Sequence, residues 1–115
     1  MSREGETILE RVGFRLQLKL ATIEEYVLVH ENVWPEMTAA LSQAGWRNYS
    51  SFLDHTDGSL FGYFESSDAQ ASIEAMKGLE VNVRWQREMA HFFDGLNGRN
   101  PDDGFLTLEN VFFLA

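Results

Sequence analysis

Residues 11–20, Arg-Val-Gly-Phe-Arg-Leu-Gln-Leu-Lys-Leu, alternate apolar and polar without a break. Val12, Phe14, Leu16, Leu18 and Leu20 fall on one side; Gly13, Arg15, Gln17 and Lys19 fall on the other. Successive side chains of a strand point to opposite faces, so this pattern predicts a half-buried strand with one face on a core. A helix start follows at once. Thr22 and Glu25 have the spacing of a capping box. The pattern predicts a helix over 23–43, with Gly45 as its stop. Pro35 lies inside that span and must kink the helix or break it in two, because proline lacks the N–H and clashes with the preceding turn.

The rest of the chain continues in the same alternation of types. Residues 46–54 read as an aromatic-rich strand, His55-Thr-Asp-Gly58 as a turn and 59–65 as the return strand. Ser66-Ser-Asp68 caps a helix over 68–77, with Ala69, Ser72, Ile73 and Met76 inward and Gly78 at its end. A further helix is expected over 80–95, a glycine-rich loop over 95–104 and a last, very apolar strand over 105–114. The order β-α-β-β-α-α-β is that of a ferredoxin-like α+β fold, one antiparallel sheet with helices on one face. Its aromatic strands are too apolar on both sides to leave the second face wet. A homodimer packed sheet to sheet, each copy keeping a cavity at one end, is the expected solution. Residues 1–10 are polar and read as an arm, leaving 11–115 as one domain.

Composition removes several classes of function. The chain has no cysteine, so disulfides, thiolate nucleophiles and zinc-thiolate sites are excluded. A net charge of -9 opposes nucleic acid and anionic membrane as partners, since both need a basic footprint. The polar, acidic N-terminus lacks the basic and apolar regions of a signal peptide, and the expected compartment is the cytoplasm. No glycine-rich phosphate loop follows a strand. His30, His55 and His91 show no metal-ligand spacing with one another, and Glu88-x-x-His91 occurs only once. A metal site is not expected from these residues.

One segment gathers reactive groups: Tyr26-Val-Leu-Val-His30-Glu-Asn-Val-Trp34-Pro35-Glu36. Positions four apart share a helix face, so a phenol, an imidazole and an indole would form a column. A lone helical histidine is commonly a core residue satisfied by hydrogen bonds. Beside a phenol and an indole it also fits a carbohydrate site, where rings pack on the sugar and the imidazole exchanges protons near neutral pH. Tyr49 reads either as a sheet aromatic or as part of that site, and Trp85 as either a core tryptophan or a site wall. His55 is expected in a solvated turn, His91 at the core's edge, and Asp102-Asp103 in an exposed turn.

The block Tyr26-x-x-x-His30-x-x-Val33-Trp34-Pro35-Glu36 resembles the signature of the L-rhamnose mutarotase family. The resemblance extends through Asn48-Tyr49, Leu60-Phe61-Gly62, Arg84-Trp85 with Met89, Asn100-Pro101-Asp102 and Val111-Phe112-Phe113-Leu114. It implies a dimeric α/β barrel of ferredoxin-like type, without cofactor, that interconverts the anomers of a 6-deoxy sugar. It further implies that His30 is the proton donor, and that Tyr26, Tyr49 and Trp85 bind the monosaccharide. The sequence departs from the family where a second tryptophan is expected: that position is Gln86. Two other readings stay open: a sugar-binding dimer without catalysis, and a cofactor-free monooxygenase on the same fold.

Overall fold

The computed structural model describes residues 8–115. The first strand, β1 (Glu10–Leu18), opens one residue earlier than its alternation suggested; the rest of the expected arm, residues 1–7, lies outside the described residues. Phe14 and Leu18 are buried as predicted. Leu20 is not: the strand ends at Leu18, and Leu20 turns outward in a 3₁₀ turn, Leu20–Thr22. Thr22 also departs from its expected role. Its hydroxyl donates to the Lys19 and Phe92 carbonyls rather than capping the next helix.

Pro35 breaks the predicted helix into α1 (Ile23–Glu31) and α2 (Pro35–Gln43). Proline sits at the first position of α2, where its missing N–H costs nothing and its fixed φ suits the turn. Gly45 then closes α2 at φ +98°, a conformation that a side chain strains. The hairpin follows as β2 (Arg47–Leu53) and β3 (Ser59–Ser66). α3 (Ala69–Lys77) starts at Asp68, whose carboxylate accepts from the Ala71 N–H at 3.1 Å. α4 (Glu80–Met89) is shorter than predicted: a 3₁₀ turn over Ala90–Phe92 leads into a two-residue strand, β4 (Phe93–Asp94). The glycine-rich stretch contains a one-turn helix, Pro101–Gly104. The last strand, β5, covers only Leu106–Leu108, and residues 109–115 form no strand.

All strand pairs are antiparallel, in the order β2-β3-β1-β4, with β5 also on β1. The fold is ferredoxin-like α+β, of the dimeric α/β-barrel type. Leu18 and Leu60 of the sheet join Ile23, Tyr26, Met37, Met76, Trp85 and Met89 of the helices in the main core. A second cluster centres on Phe14 and Phe64, with the Trp46 ring stacked on Phe64 at 3.8 Å. Such an aromatic pair contributes about 0.5–1.5 kcal/mol beyond its buried area. Among the described residues, no helix lies on the far face of the sheet. Register aligns Phe52 with Phe61, Phe61 with Arg15, and Arg15 with Leu106, so three apolar residues cross that face in one row.

Candidate active site

A cavity of about 310 Å³ lies between the helices and the sheet. α1 contributes Tyr26 and His30; α2 contributes Met37 and Leu41; the sheet contributes Phe14, Leu16, Tyr49 and Ser51; α4 contributes Asn82, Trp85, Gln86 and Met89. The α4 set falls at i, i+3, i+4 and i+7, one face of a helix. That face, rather than one including Val83 and Arg84, is the one turned inward.

Tyr26 is buried and stacks on the His30 ring at 4.0 Å. His30 Nδ1 lies 2.9 Å from the Tyr26 carbonyl oxygen. A carbonyl can only accept, so Nδ1 carries the proton and donates it. In the neutral ring this leaves the lone pair on Nε2. Burial pushes the His30 pKa below 6.5, against the opposing pull of that hydrogen bond. At neutral pH the imidazole is uncharged and its Nε2 can accept a proton. Burial, and then the nearby Tyr49 phenol, drive the Tyr26 pKa far above its ordinary value. Tyr26 therefore stays a neutral hydroxyl and cannot serve as a base.

Trp34 does not complete the predicted column. The break before Pro35 takes it off α1, outside the cavity, where it meets the Trp85 ring edge-on at 5.0 Å. Trp85 takes the place next to the imidazole, edge-on at 5.5 Å. Arg84 pairs with Glu36 at 3.1 Å and lies over the Trp34 ring, tying α4 to the start of α2.

Tyr49 reaches the cavity through an irregularity. The β2–β3 register shifts between Arg47 and Ser50, and Asn48 adopts φ +48°. Such a bulge re-aims side chains. Tyr49 keeps 43% of its surface accessible because β2 is an edge strand. Its ring nevertheless packs on Trp46 at 5.0 Å and near Phe14 and Phe64. Desolvation there raises its phenol above 10. Thus the structure brings Tyr26, His30, Tyr49 and Trp85 to one cavity.

Sequence reasoning missed Asn82 and Asp102 among the polar groups at that cavity. Asn82 is buried, and Asp102 lines the wall with Pro101, whereas Asp103 alone behaves as the expected exposed turn residue, paired with Lys77 at 3.0 Å. The signal available was the i, i+4 pair Asn82 and Gln86 beside Trp85; nothing in the run Asp102-Asp103 says which residue turns inward. His55 is exposed in its turn, and the exposed His91 ring lies tilted against the buried Phe92 ring. Among the described residues, no group of three or more His, Asp or Glu side chains is positioned to hold a metal.

A ferredoxin-like domain of this topology, with one imidazole, two phenols and an indole around a cavity, belongs to the dimeric α/β-barrel class. Residues 11–114 match the family described as L-rhamnose mutarotase, and the chain belongs to that family. The L-rhamnose mutarotase of Acidiphilium cryptum is 42% identical over 94 residues, covering 82% of this chain and 86% of that relative. The L-rhamnose mutarotase of Bacillus subtilis is 37% identical over 91 residues, covering 79% and 85%. The crystal structure of L-rhamnose mutarotase from Formosa agariphila superimposes with a TM-score of 0.75 at 27% identity, over 92% of this chain and 99% of that one. A dimeric ferredoxin-like protein from an uncultured marine organism shares the fold at TM-score 0.58 and 12% identity.

Proposed function

We propose that the chain is an aldose mutarotase that interconverts the α and β anomers of L-rhamnose or a closely related 6-deoxy sugar, with residues 11–115 as its single catalytic domain. The observation that carries this reading is the state of His30: uncharged, tautomer fixed, with Nε2 free in a cavity walled by Tyr26, Tyr49 and Trp85. Neutral Nε2 takes the proton of the anomeric hydroxyl. The C1–O5 bond breaks as C1=O1 forms, and the imidazolium gives its proton to the ring oxygen. Both oxygens are bonded to C1, so one nitrogen can serve both with little movement. Rotation about C1–C2 and the reverse transfers close the ring on its other face. Tyr26 and Tyr49, held as neutral phenols, hydrogen-bond the sugar hydroxyls, and Trp85 packs on its apolar edge.

A cavity of about 310 Å³ is at the small end for ligand sites, which favours a single sugar ring over the larger substrate of a monooxygenase. The acidic charge, -9, and the absence of a membrane-crossing helix among the described residues agree with a cytoplasmic protein that binds neither nucleic acid nor membrane. The uncovered sheet face supports a homodimer.

Saturation-transfer NMR on a panel of 6-deoxy and ordinary aldoses tests the activity. The wild type should accelerate anomer exchange of L-rhamnose or a near relative. His30→Gln should lower kcat by about 10²–10⁴-fold, the worth of one positioned acid–base group. Exchange at the wild-type rate in that variant removes His30 from the mechanism. Binding without acceleration in the wild type would make the protein a sugar-binding dimer instead.

A further inference from the structure

The one-turn helix Pro101–Gly104 brings a carboxylate to the cavity, and α4 holds it there by a closed chain of hydrogen bonds. The Asp102 N–H donates to Gln86 Oε1 at 2.9 Å. Gln86 Nε2 donates to Asn82 Oδ1 at 3.2 Å. Asn82 Nδ2 donates to Asp102 Oδ2 at 3.1 Å. The direction of this chain is fixed at both ends, because a backbone N–H can only donate and a carboxylate can only accept. Neither amide can be flipped without setting like groups against each other. Gln86, which stands where the family has a second tryptophan, thus uses both ends of its amide inside the protein. It is a strap on the Pro101–Gly104 turn.

The chain consumes only one of the two carboxylate oxygens. Oδ1 accepts no hydrogen bond from another residue among the described ones, although Asp102 is partly buried. Burial raises its pKa, and the groups facing it are Asn82, Asp103 and Lys77. Lys77 pairs with Asp103 at 3.0 Å, and its charge opposes the effect of burial on Asp102 without overcoming it. A desolvated carboxylate oxygen of this kind strongly favours a hydroxyl donor.

We propose that Asp102 is a sugar-binding residue: its free Oδ1 accepts hydrogen bonds from adjacent hydroxyls of the aldose, and Gln86, with Asn82, positions it for that contact. This rests on the mutarotase reading for the identity of the ligand, not for the binding itself. The arrangement selects neutral polyols with a hydroxyl pair at the α4 wall and rejects sugars that carry a deoxy carbon or an acid group there.

The test compares wild type, Asp102→Asn, Gln86→Met and the double variant, with L-rhamnose and its single-deoxy analogues as probes. Binding is read from tryptophan fluorescence, since Trp85 lines the cavity, and kcat and KM from NMR exchange. Asp102→Asn should raise Kd and KM about 10- to 100-fold, the value of one to two charge-assisted hydrogen bonds. Its kcat should stay within about threefold, which marks binding rather than chemistry. Gln86→Met should weaken binding in the same direction, and the double variant should be no worse than Asp102→Asn, because a residue that acts through another adds nothing once that other is gone. Unchanged Kd in Asp102→Asn, a fall in kcat with KM unchanged, or additive effects of the two substitutions would each overturn the assignment. A measurement on wild type alone guards against misfolded variants. If every deoxy analogue binds as tightly as L-rhamnose, no carboxylate reads those hydroxyls and the inference fails. If the wild type binds sugar through Asp102 but accelerates no exchange, the mutarotase reading fails while the binding role stands.

Discussion

Burial and one backbone hydrogen bond pull on His30 in opposite directions, and burial wins. The sign matters for mechanism. A histidine with its pKa below 6.5 is neutral at pH 7 and works first as a base at Nε2. Enzyme-catalysed exchange should therefore be level near pH 7 and fall as pH drops through a value below 6.5. The profile of kcat/KM, corrected for spontaneous exchange, reports that pKa in the free enzyme. A rate that rises on acidification would mean that the imidazolium is the resting form. Stability carries the same sign: the unfolded state binds more protons below pH 6.5, so folding weakens as pH falls there. Circular dichroism on the same samples separates the two losses. Tyr26 and His30 were legible in the sequence because they share a helix at i and i+4 and the helix forms. Trp34 was placed wrongly by the same rule, since the helix stops before reaching it. Asp102 was not legible, because which of two adjacent aspartates turns inward is decided by Gln86 and Asn82 on another element.

At the level of elements, the alternation of β1 and the Asp-Gly turn of the hairpin were sufficient to place the sheet's centre. Its short margins were not. β4 is two residues long and exists because Gln17 and Leu18 offer it an edge, a long-range cause that leaves no local pattern. The predicted run at 105–114 shrank to three residues for the same reason: β5 pairs with Gly13, Phe14 and Arg15, and the apolar residues beyond it meet no partner strand among the described residues. Gly62 shows what close packing between elements demands. A Cβ there would run into the ring of Phe14, which lines the cavity from β1. Gly62→Ala must displace that ring, and overpacking of this kind costs about 1–3 kcal/mol. Thermal or urea unfolding should show the loss, with KM for the sugar also raised because the cavity wall moves. A variant as stable as wild type would mean that the sheet yields more easily than its register suggests.

Among the described residues, the molecule leaves an apolar row of the sheet exposed. Phe52 is 65% exposed and Leu106 61% exposed, at opposite ends of the row that runs through Phe61 and Arg15. Val111, Phe112 and Leu114 extend the exposed apolar surface at the chain's end. A monomer with charge -9 gains solubility from its acidic side chains but still presents this face to water. A second copy hides it most economically, because a two-fold interface uses the same patch on both subunits. Acidic chains repel, so association should strengthen as salt screens them, the reverse of what an ion-paired interface would do. Phe52→Lys tests the arrangement with least risk to the subunit, since that side chain contributes little to the monomer's own core. Burying one phenylalanine is worth about 1.5–3 kcal/mol, and a two-fold interface loses it twice. Association should weaken by about 10²–10⁴-fold, seen as a dimer-to-monomer shift in sedimentation velocity. The subunit's circular dichroism should not change. A dimer of wild-type affinity in Phe52→Lys would place the contact elsewhere and leave the sheet face to another occupant.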